Sequence, residues 1–293
     1  MILAIVGPTA VGKTRLSIAL AKIYNGEIIN CDSMQIYRGL DIGTAKATLK
    51  EQDGVKHHLL SIKNIDEDYS VYDYQKDARA CVKEIKSRGH VPIFVGGTGL
   101  YLKAALYDYD FTLEEETSDY SALSNDELYA KIQSYETGIV VDSHNRRRLE
   151  RLLFKLEQGW TPKDTDFHLL YPDTIFLGLT TDRNVLYEKI NQRFDEMLIP
   201  LIDEVKPLIL SGVSSKALQT GIGYKEFYDF FSNKKTLQEV VEEIKKNSRN
   251  YAKRQYTWFL NQMNISWFSV DYENFSNTIQ EIVTYLDSFS NKL

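Results

Sequence analysis

Residues 7–14, Gly-Pro-Thr-Ala-Val-Gly-Lys-Thr, form a complete G-x-x-x-x-G-K-[ST] phosphate loop that begins directly after the apolar run Ile2–Val6. Such a loop works only where a strand delivers the chain into it and a helix leaves it. Backbone N–H groups and the positive end of the helix dipole then converge on a phosphate. Both flanks are present, because Leu16, Ile18, Ala19, Leu20 and Ile23 supply a mixed apolar face suited to packing on a sheet. Gly7 and Gly12 allow the tight turn, Lys13 brings a point charge, and the Thr14 hydroxyl can reach a magnesium ion. The motif leaves open whose phosphate is held.

Further apolar runs at 27–30, 91–95 and 174–179 read as buried parallel strands. Each is short, bounded by glycine or polar residues and separated from the next by helical patterns. Residues 72–87 read as a helix with Tyr74, Ala78, Val82 and Ile85 on one face. The fold predicted is α/β, a P-loop NTPase-like parallel sheet flanked by helices. From about Thr112 to Leu170 the rhythm breaks: an acidic, serine-rich stretch over 113–125 leads into helical patterns with no strand between them. This predicts a helical insertion at 112–170 within a core made of 1–111 and 171–293. Helices over 186–201 and 237–260, a short strand at 266–270 and a last helix complete the reading.

A chain of 293 residues with 43% apolar and 26% charged residues can bury a large core, and its net charge of −6 argues against indiscriminate coating of nucleic acid. Cys31 and Cys81 are too few for a disulfide scaffold and form no C-x-x-C pair, so a reducing cytoplasm is expected. With a strand expected at the very start, no leader peptide is expected, and no apolar run approaches the ~20 residues that span a bilayer. A soluble protein without a membrane partner is the expectation.

Ligands in open α/β sheets sit at the carboxyl ends of strands, so Asp32, after the run at 27–30, is expected to face the crevice of the phosphate loop. A carboxylate there can take a proton from a substrate or hold a metal; it can equally cap a turn. The segment 41–46, Asp-Ile-Gly-Thr-Ala-Lys, could clamp an anion. His57 and His58 are adjacent, point to opposite faces if in a strand, and read as structural. The run 91–95 ends in Gly96-Gly97-Thr98-Gly99, where an ATPase of this class would usually carry a metal-binding aspartate. Ordinary nucleotide hydrolysis is therefore disfavoured, and the small residues suggest room for a ligand at the sheet edge. Arg193, on the flank of the stripe Leu186, Ile190, Phe194 and Met197, could reach a diphosphate opposite Lys13, or could be an exposed arginine in a salt bridge.

Two basic stretches stand out in an acidic chain: Arg146, Arg147, Arg148, Arg151 and Lys155, and Lys245, Lys246, Arg249, Lys253 and Arg254 with Tyr251, Tyr256 and Trp258 interleaved. Either alone reads as a solvated face. Together, one of them within the insertion, they make an RNA backbone a candidate partner.

Taken in order, the segments GPTAVGKT (7–14), DSMQIYRGLDIGTAK (32–46), GVKHHLL (54–60), GGTGLYL (96–102), RRLER (147–151), GIGYKE (221–226) and YAKRQYTWF (251–259) resemble the tRNA dimethylallyltransferase, or tRNA isopentenyltransferase, family. The resemblance implies transfer of a dimethylallyl group from dimethylallyl diphosphate to N6 of adenosine 37, beside the anticodon of a tRNA. It implies that Gly7, Pro8, Thr9, Ala10, Val11, Gly12, Lys13 and Thr14 hold a prenyl diphosphate, with Mg2+ on Thr14. Asp32 falls at the position of the general base, and Thr14 and Arg193 join it as catalytic residues. Asp32, Ser33, Met34, Gln35 and Thr98 fall where the extruded base and tRNA are contacted, and Arg147, Arg148 and Arg151 in the insertion's RNA motif. The partners implied are the tRNA anticodon stem-loop and dimethylallyl diphosphate, with a monomeric enzyme expected. Ala47, Ser248 and Leu260 stand where the family usually has proline, threonine and arginine. A P-loop kinase of a small molecule, an adenylate isopentenyltransferase and a non-catalytic RNA-binding module are the competing classes, and an intact Lys13, Thr14 and Asp32 argues against the last. The basic insertion speaks against the adenylate isopentenyltransferase, since a free nucleotide needs no RNA platform.

Overall fold

The five residues Ile2–Val6 form the central strand β1, and every one is buried, as a strand covered on both faces requires. The chain leaves it through the phosphate loop into α1 (Lys13–Ile23), returns in β2 (Gly26–Asn30), and passes α2 (Leu49–Gln52) and the two-residue β3 (His57–His58). It continues through α3 (Val71–Ser87), β4 (Val91–Val95) and α4 (Gly99–Leu106). The computed structural model describes residues 1–109, 119–135, 138–159 and 167–290.

Two compact units are present. One is Met1–Leu106 together with Tyr171–Leu293; the other is Tyr107–Leu170. The second contains α5 (Asn125–Tyr135) and α6 (Arg146–Glu157), which bury Leu128, Ile132, Leu149, Leu153 and Leu156 against each other as a core of their own. The expected insertion start at Thr112 and residues 113–118 of the acidic stretch lie outside the described residues. The first unit resumes in β5 (Thr174–Thr180), α7 (Arg183–Leu210), α8 (Lys216–Thr220), α9 (Phe227–Phe231), α10 (Leu237–Gln262), β6 (Ser266–Ser269) and α11 (Phe275–Ser290).

All pairings in the six-stranded sheet are parallel, in the order β3-β2-β4-β1-β5-β6. The chain thus places β4 between β1 and β2, and the loops that leave these three strands meet at their carboxyl ends. Cys31 N–H donates to Val95 O (2.8 Å), Gly96 N–H to Ile5 O (3.3 Å) and Thr98 N–H to Cys31 O (3.0 Å). α1 and α11 cover the sheet with Leu16, Leu20, Phe275, Ile282 and Leu286. A second apolar cluster joins Leu40, Phe194, Leu201, Val205, Tyr224, Phe227, Val240 and Ile244, tying α7, α9 and α10 together. α7 contains Pro200 and runs on past the expected end at 201, through Pro207, to Leu210. Burial of Leu201 and Val205 in this cluster outweighs the cost of a proline in a helix, about 3 kcal/mol.

Strand β3 escaped the sequence reading, since two residues carry no periodicity. Its histidines are structural, as expected: His57 Nδ1 lies 2.8 Å from Val55 O, and His58 Nε2 lies 2.6 Å from Glu27 Oε2.

Candidate active site

The turn from β1 into α1 needs left-handed backbone at Ala10 (φ 67°) and Gly12 (φ 100°). Gly12 is the residue that precedes α1, and no side chain caps that helix, so its first N–H groups face the cleft. Thr9, Ala10, Val11, Gly12, Lys13 and Thr14 line a cleft of about 570 Å³, together with Asp32, Gln35, Thr44, Ala45, Gly96, Arg193, Tyr251 and Gln255 among others. Gly7 and Pro8 sit behind the loop. A Cβ on Gly7 would come 2.6 Å from Leu179 O, and the carbonyls of Gly7 and Pro8 accept from Lys13 Nζ at 2.9 and 2.6 Å.

Burial lowers the Lys13 pKa to about 7; the Asp32 charge pulls it up and Arg193 pushes it down. Arg193 is drawn in from α7 and donates from an Nη to Thr9 Oγ1 at 2.7 Å, so the exposed salt-bridge alternative does not hold. Burial lowers its pKa as well, with Asp32 acting in the opposite sense. Two cations with depressed pKa values beside one carboxylate describe a site short of negative charge.

Asp32 both closes a turn and faces the cleft. Its Oδ1 accepts from Met34 N–H (2.9 Å), closing a local turn, while its carboxylate lines the cleft. Ser33 N–H donates to Thr98 Oγ1 (3.1 Å), and Gln35 Nε2 donates to Thr44 O (3.1 Å). Thr98 therefore holds the loop after β2 against the loop after β4. Met34 turns away from the cleft and packs with the second apolar cluster.

Two expectations are corrected. Of the glycines after β4, Gly96 borders the cleft, but Gly97 and Gly99 leave no room for a ligand. A Cβ on Gly96 would overlap the Cys31 backbone, one on Gly97 would overlap Gln255 Nε2, and one on Gly99 would overlap the Trp258 ring. The space is filled by the protein itself, chiefly by α10. The 41–46 loop does clamp an anion, but an internal one: Glu204 accepts from the N–H groups of Asp41 (2.8 Å), Ile42 (2.7 Å) and Gly43 (3.2 Å), and from the Tyr224 hydroxyl (2.7 Å). Lys46 is likewise engaged, with Tyr37 O, Asp41 and Ser61.

In the other unit, the apolar face of α6 is buried and Arg147, Arg148 and Arg151 are exposed. Arg146 is structural, donating to Leu123 O and Tyr120 O (both 2.8 Å) and pairing with Glu150. Of the second basic stretch, Lys245 pairs with Asp195 (2.6 Å) and Arg249 donates to Asn191 (2.7 Å), while Lys246, Lys253 and Arg254 are exposed. Sequence reasoning missed Glu204 and Gln255, and took Tyr251 only as part of a basic stretch. The Tyr251 phenol is raised above its ordinary range by burial and then by the Asp32 charge, so it stays protonated in the cleft. Among the described residues no helix is long and apolar enough to cross a membrane.

Comparison with known proteins gives a consistent picture. A model of the IPP transferase family matches residues 35–262. A tRNA dimethylallyltransferase of Anoxybacillus flavithermus is 44% identical over 98% of this chain and 96% of its own. The crystal structure of a tRNA isopentenylpyrophosphate transferase from Staphylococcus epidermidis superposes with a TM-score of 0.75 at 38% identity, covering 98% of both chains. A eukaryotic dimethylallyltransferase acting on tRNA superposes with a TM-score of 0.85 at 28% identity, over 99% of this chain and 79% of its own.

Proposed function

The chain belongs to the IPP transferase family and prenylates adenosine in tRNA, and we propose that the cleft at the carboxyl ends of β1, β2 and β4 is where a dimethylallyl group passes from dimethylallyl diphosphate to N6 of adenosine 37. The observation that carries this assignment is the set Lys13, Arg193 and Asp32 in one cleft, beside a strand that ends in glycine where a hydrolase would place a carboxylate. An allylic C–O bond ionises when its leaving group is neutralised, so the protein's task is to present positive charge and exclude water.

Gly12 and the first N–H groups of α1 receive the diphosphate, with Lys13 and Arg193 on its two sides. The hydroxyls of Thr9 and Thr14 complete the cradle. As the C–O bond breaks, the electron pair stays with the diphosphate. The N6 lone pair forms the new C–N bond, and the proton released from N6 goes to Asp32. Products are diphosphate and N6-dimethylallyladenosine in the tRNA. The adenine reaches Asp32 only when it leaves the anticodon stack, and the Ser33–Gln35 turn with Thr98 is the surface it meets.

Magnesium fits this donor set. The Thr14 hydroxyl is exposed to the cleft, and among the described residues no cluster of three or more His, Cys, Asp or Glu could cage a metal. That suits an ion that takes most of its oxygens from phosphates and water. When bound it would add positive charge on the leaving diphosphate. Arg147, Arg148 and Arg151 are assigned to the tRNA backbone, and the enzyme is proposed to act as a monomer. A cytoplasmic setting follows from the substrate.

The test is transfer of labelled dimethylallyl to an unmodified anticodon stem-loop with magnesium, the product nucleoside being identified after digestion. N6-dimethylallyladenosine beside the anticodon is expected. Label absent from every RNA, with phosphate released from ATP instead, contradicts the assignment; transfer to free AMP but not RNA favours an adenylate prenyltransferase.

A further inference from the structure

The side chain of Gln255 is buried on α10 and reaches two loops that the chain separates widely. Its Oε1 accepts from Thr9 N–H in the phosphate loop (2.9 Å), and its Nε2 donates to Gly97 O after β4 (3.1 Å). The amide has one possible orientation, because an N–H group can only donate and a carbonyl can only accept. Both contacts continue outward. Thr9 Oγ1 accepts from Arg193 on the diphosphate side, and Thr98, the neighbour of Gly97, accepts from Ser33 N–H on the nucleophile side. Tyr251, one turn before Gln255, lines the same cleft and brings its phenol beside Thr98 and Gln255. Gly97 has no Cβ at the one place where a Cβ would overlap Gln255 Nε2.

We infer that Gln255 is a positioning residue that fixes the spacing between the two halves of the cleft, the half holding the leaving diphosphate and the half holding Asp32 and the incoming adenine. It rests on the reading of the cleft given above. A displacement nucleophile and its leaving group must be held in line, and misplacement by about 1 Å costs on the order of 100-fold in rate. Gln255 acts through Thr9 and Gly97, so its loss should appear in the chemical step while each substrate still binds its own half.

The experiment uses the full chain and two variants. Gln255→Glu is isosteric, keeps the acceptor for Thr9 and loses the donor to Gly97. Gly97→Ala displaces the same amide from the other side. Single-turnover rates per folded enzyme, tRNA affinity and inorganic diphosphate affinity are read alongside melting. Both variants are expected to slow the chemical step at least 10-fold with tRNA affinity within about 3-fold of the parent. A double-mutant cycle between Gln255→Glu and Thr98→Ala is expected to be strongly non-additive. Unchanged single-turnover rates per folded molecule, with only the melting temperature lowered, would make Gln255 a packing residue and overturn the inference. If the parent enzyme itself transferred no prenyl group, the fault would lie with the cleft assignment and not with Gln255.

Discussion

The two ends of the sheet use similar residues in opposite ways. At the amino end, Glu27 is buried and closed on all sides. Arg88 grips it with two hydrogen bonds (3.0 and 2.8 Å), and His58 Nε2 and His90 Nδ1 lie 2.6 and 2.7 Å away. Burial raises the Glu27 pKa, but the bonds from Arg88, His58 and His90 more than reverse this and bring it to about 2. At the carboxyl end, Lys13 and Arg193 rest on carbonyls and a hydroxyl, and burial depresses both. A charge network that is closed on itself holds a fold together. One whose cations are satisfied only by neutral oxygens is ready for an anion to arrive.

Arg193→Ala and Lys13→Met, at the open end, should each lower the single-turnover rate by about 100- to 1,000-fold, the scale of losing one preorganised stabiliser of developing charge. A loss below 5-fold for both would erase the contrast between the two ends. Asp32→Ala should slow transfer by roughly 100-fold with tRNA affinity retained, as for a lost general base. Parallel losses of affinity and rate would instead make Asp32 a turn residue, the role its bond to Met34 already serves.

A pH series sharpens the comparison further. Lys13, with its pKa near 7, is largely charged below that pH and must take up a proton to grip an anion above it. Inorganic diphosphate affinity should thus weaken as pH rises from 7 to 9, by up to about 10-fold per unit, with proton uptake on binding. Lys13→Arg, charged throughout, should lose that component.

The closed end predicts the reverse pattern. Glu27→Gln should lower the melting temperature by removing the buried carboxylate on which Arg88, His58 and His90 converge, and should leave the rate per folded molecule unchanged. Because Glu27 has a folded pKa near 2 against 4.5 when free, its contribution is fully present above about pH 4.5. It is lost as pH falls toward 2, so the variant should show a flatter acid dependence in that window. The smallest effect belongs to the insertion: Arg148→Ala and Arg151→Ala should each reduce the salt slope of tRNA binding by about one and leave diphosphate binding intact.

What could be read in the sequence follows from how local its cause is. The strand, loop and helix at 2–23 are fixed by neighbours along the chain, so the phosphate loop, and Lys13 and Thr14 within it, were visible at once. Asp32 was readable as a candidate because the carboxyl ends of parallel strands converge by topology, and Arg193 because it flanks the apolar stripe of its helix. Glu204 and Gln255 were not, since the backbone groups they hold lie 161–163 positions away for Glu204 and 158 and 246 for Gln255. The glycines at 96, 97 and 99 were misread for the same reason. A missing side chain shows that something comes close, but only the fold shows that it is the Cys31 backbone at Gly96, Gln255 at Gly97 and Trp258 at Gly99. The extension of α7 beyond 201 was not legible either, since its cause is the packing of Val205 against α9 and α10.

Titration of inorganic diphosphate with magnesium into the parent enzyme, Arg193→Ala and Glu27→Gln tests the central contrast most directly. One site is expected, weakened at least 10-fold by Arg193→Ala and untouched by Glu27→Gln. Equal affinity for all three proteins would contradict the assignment of the carboxyl-end cleft to the leaving diphosphate.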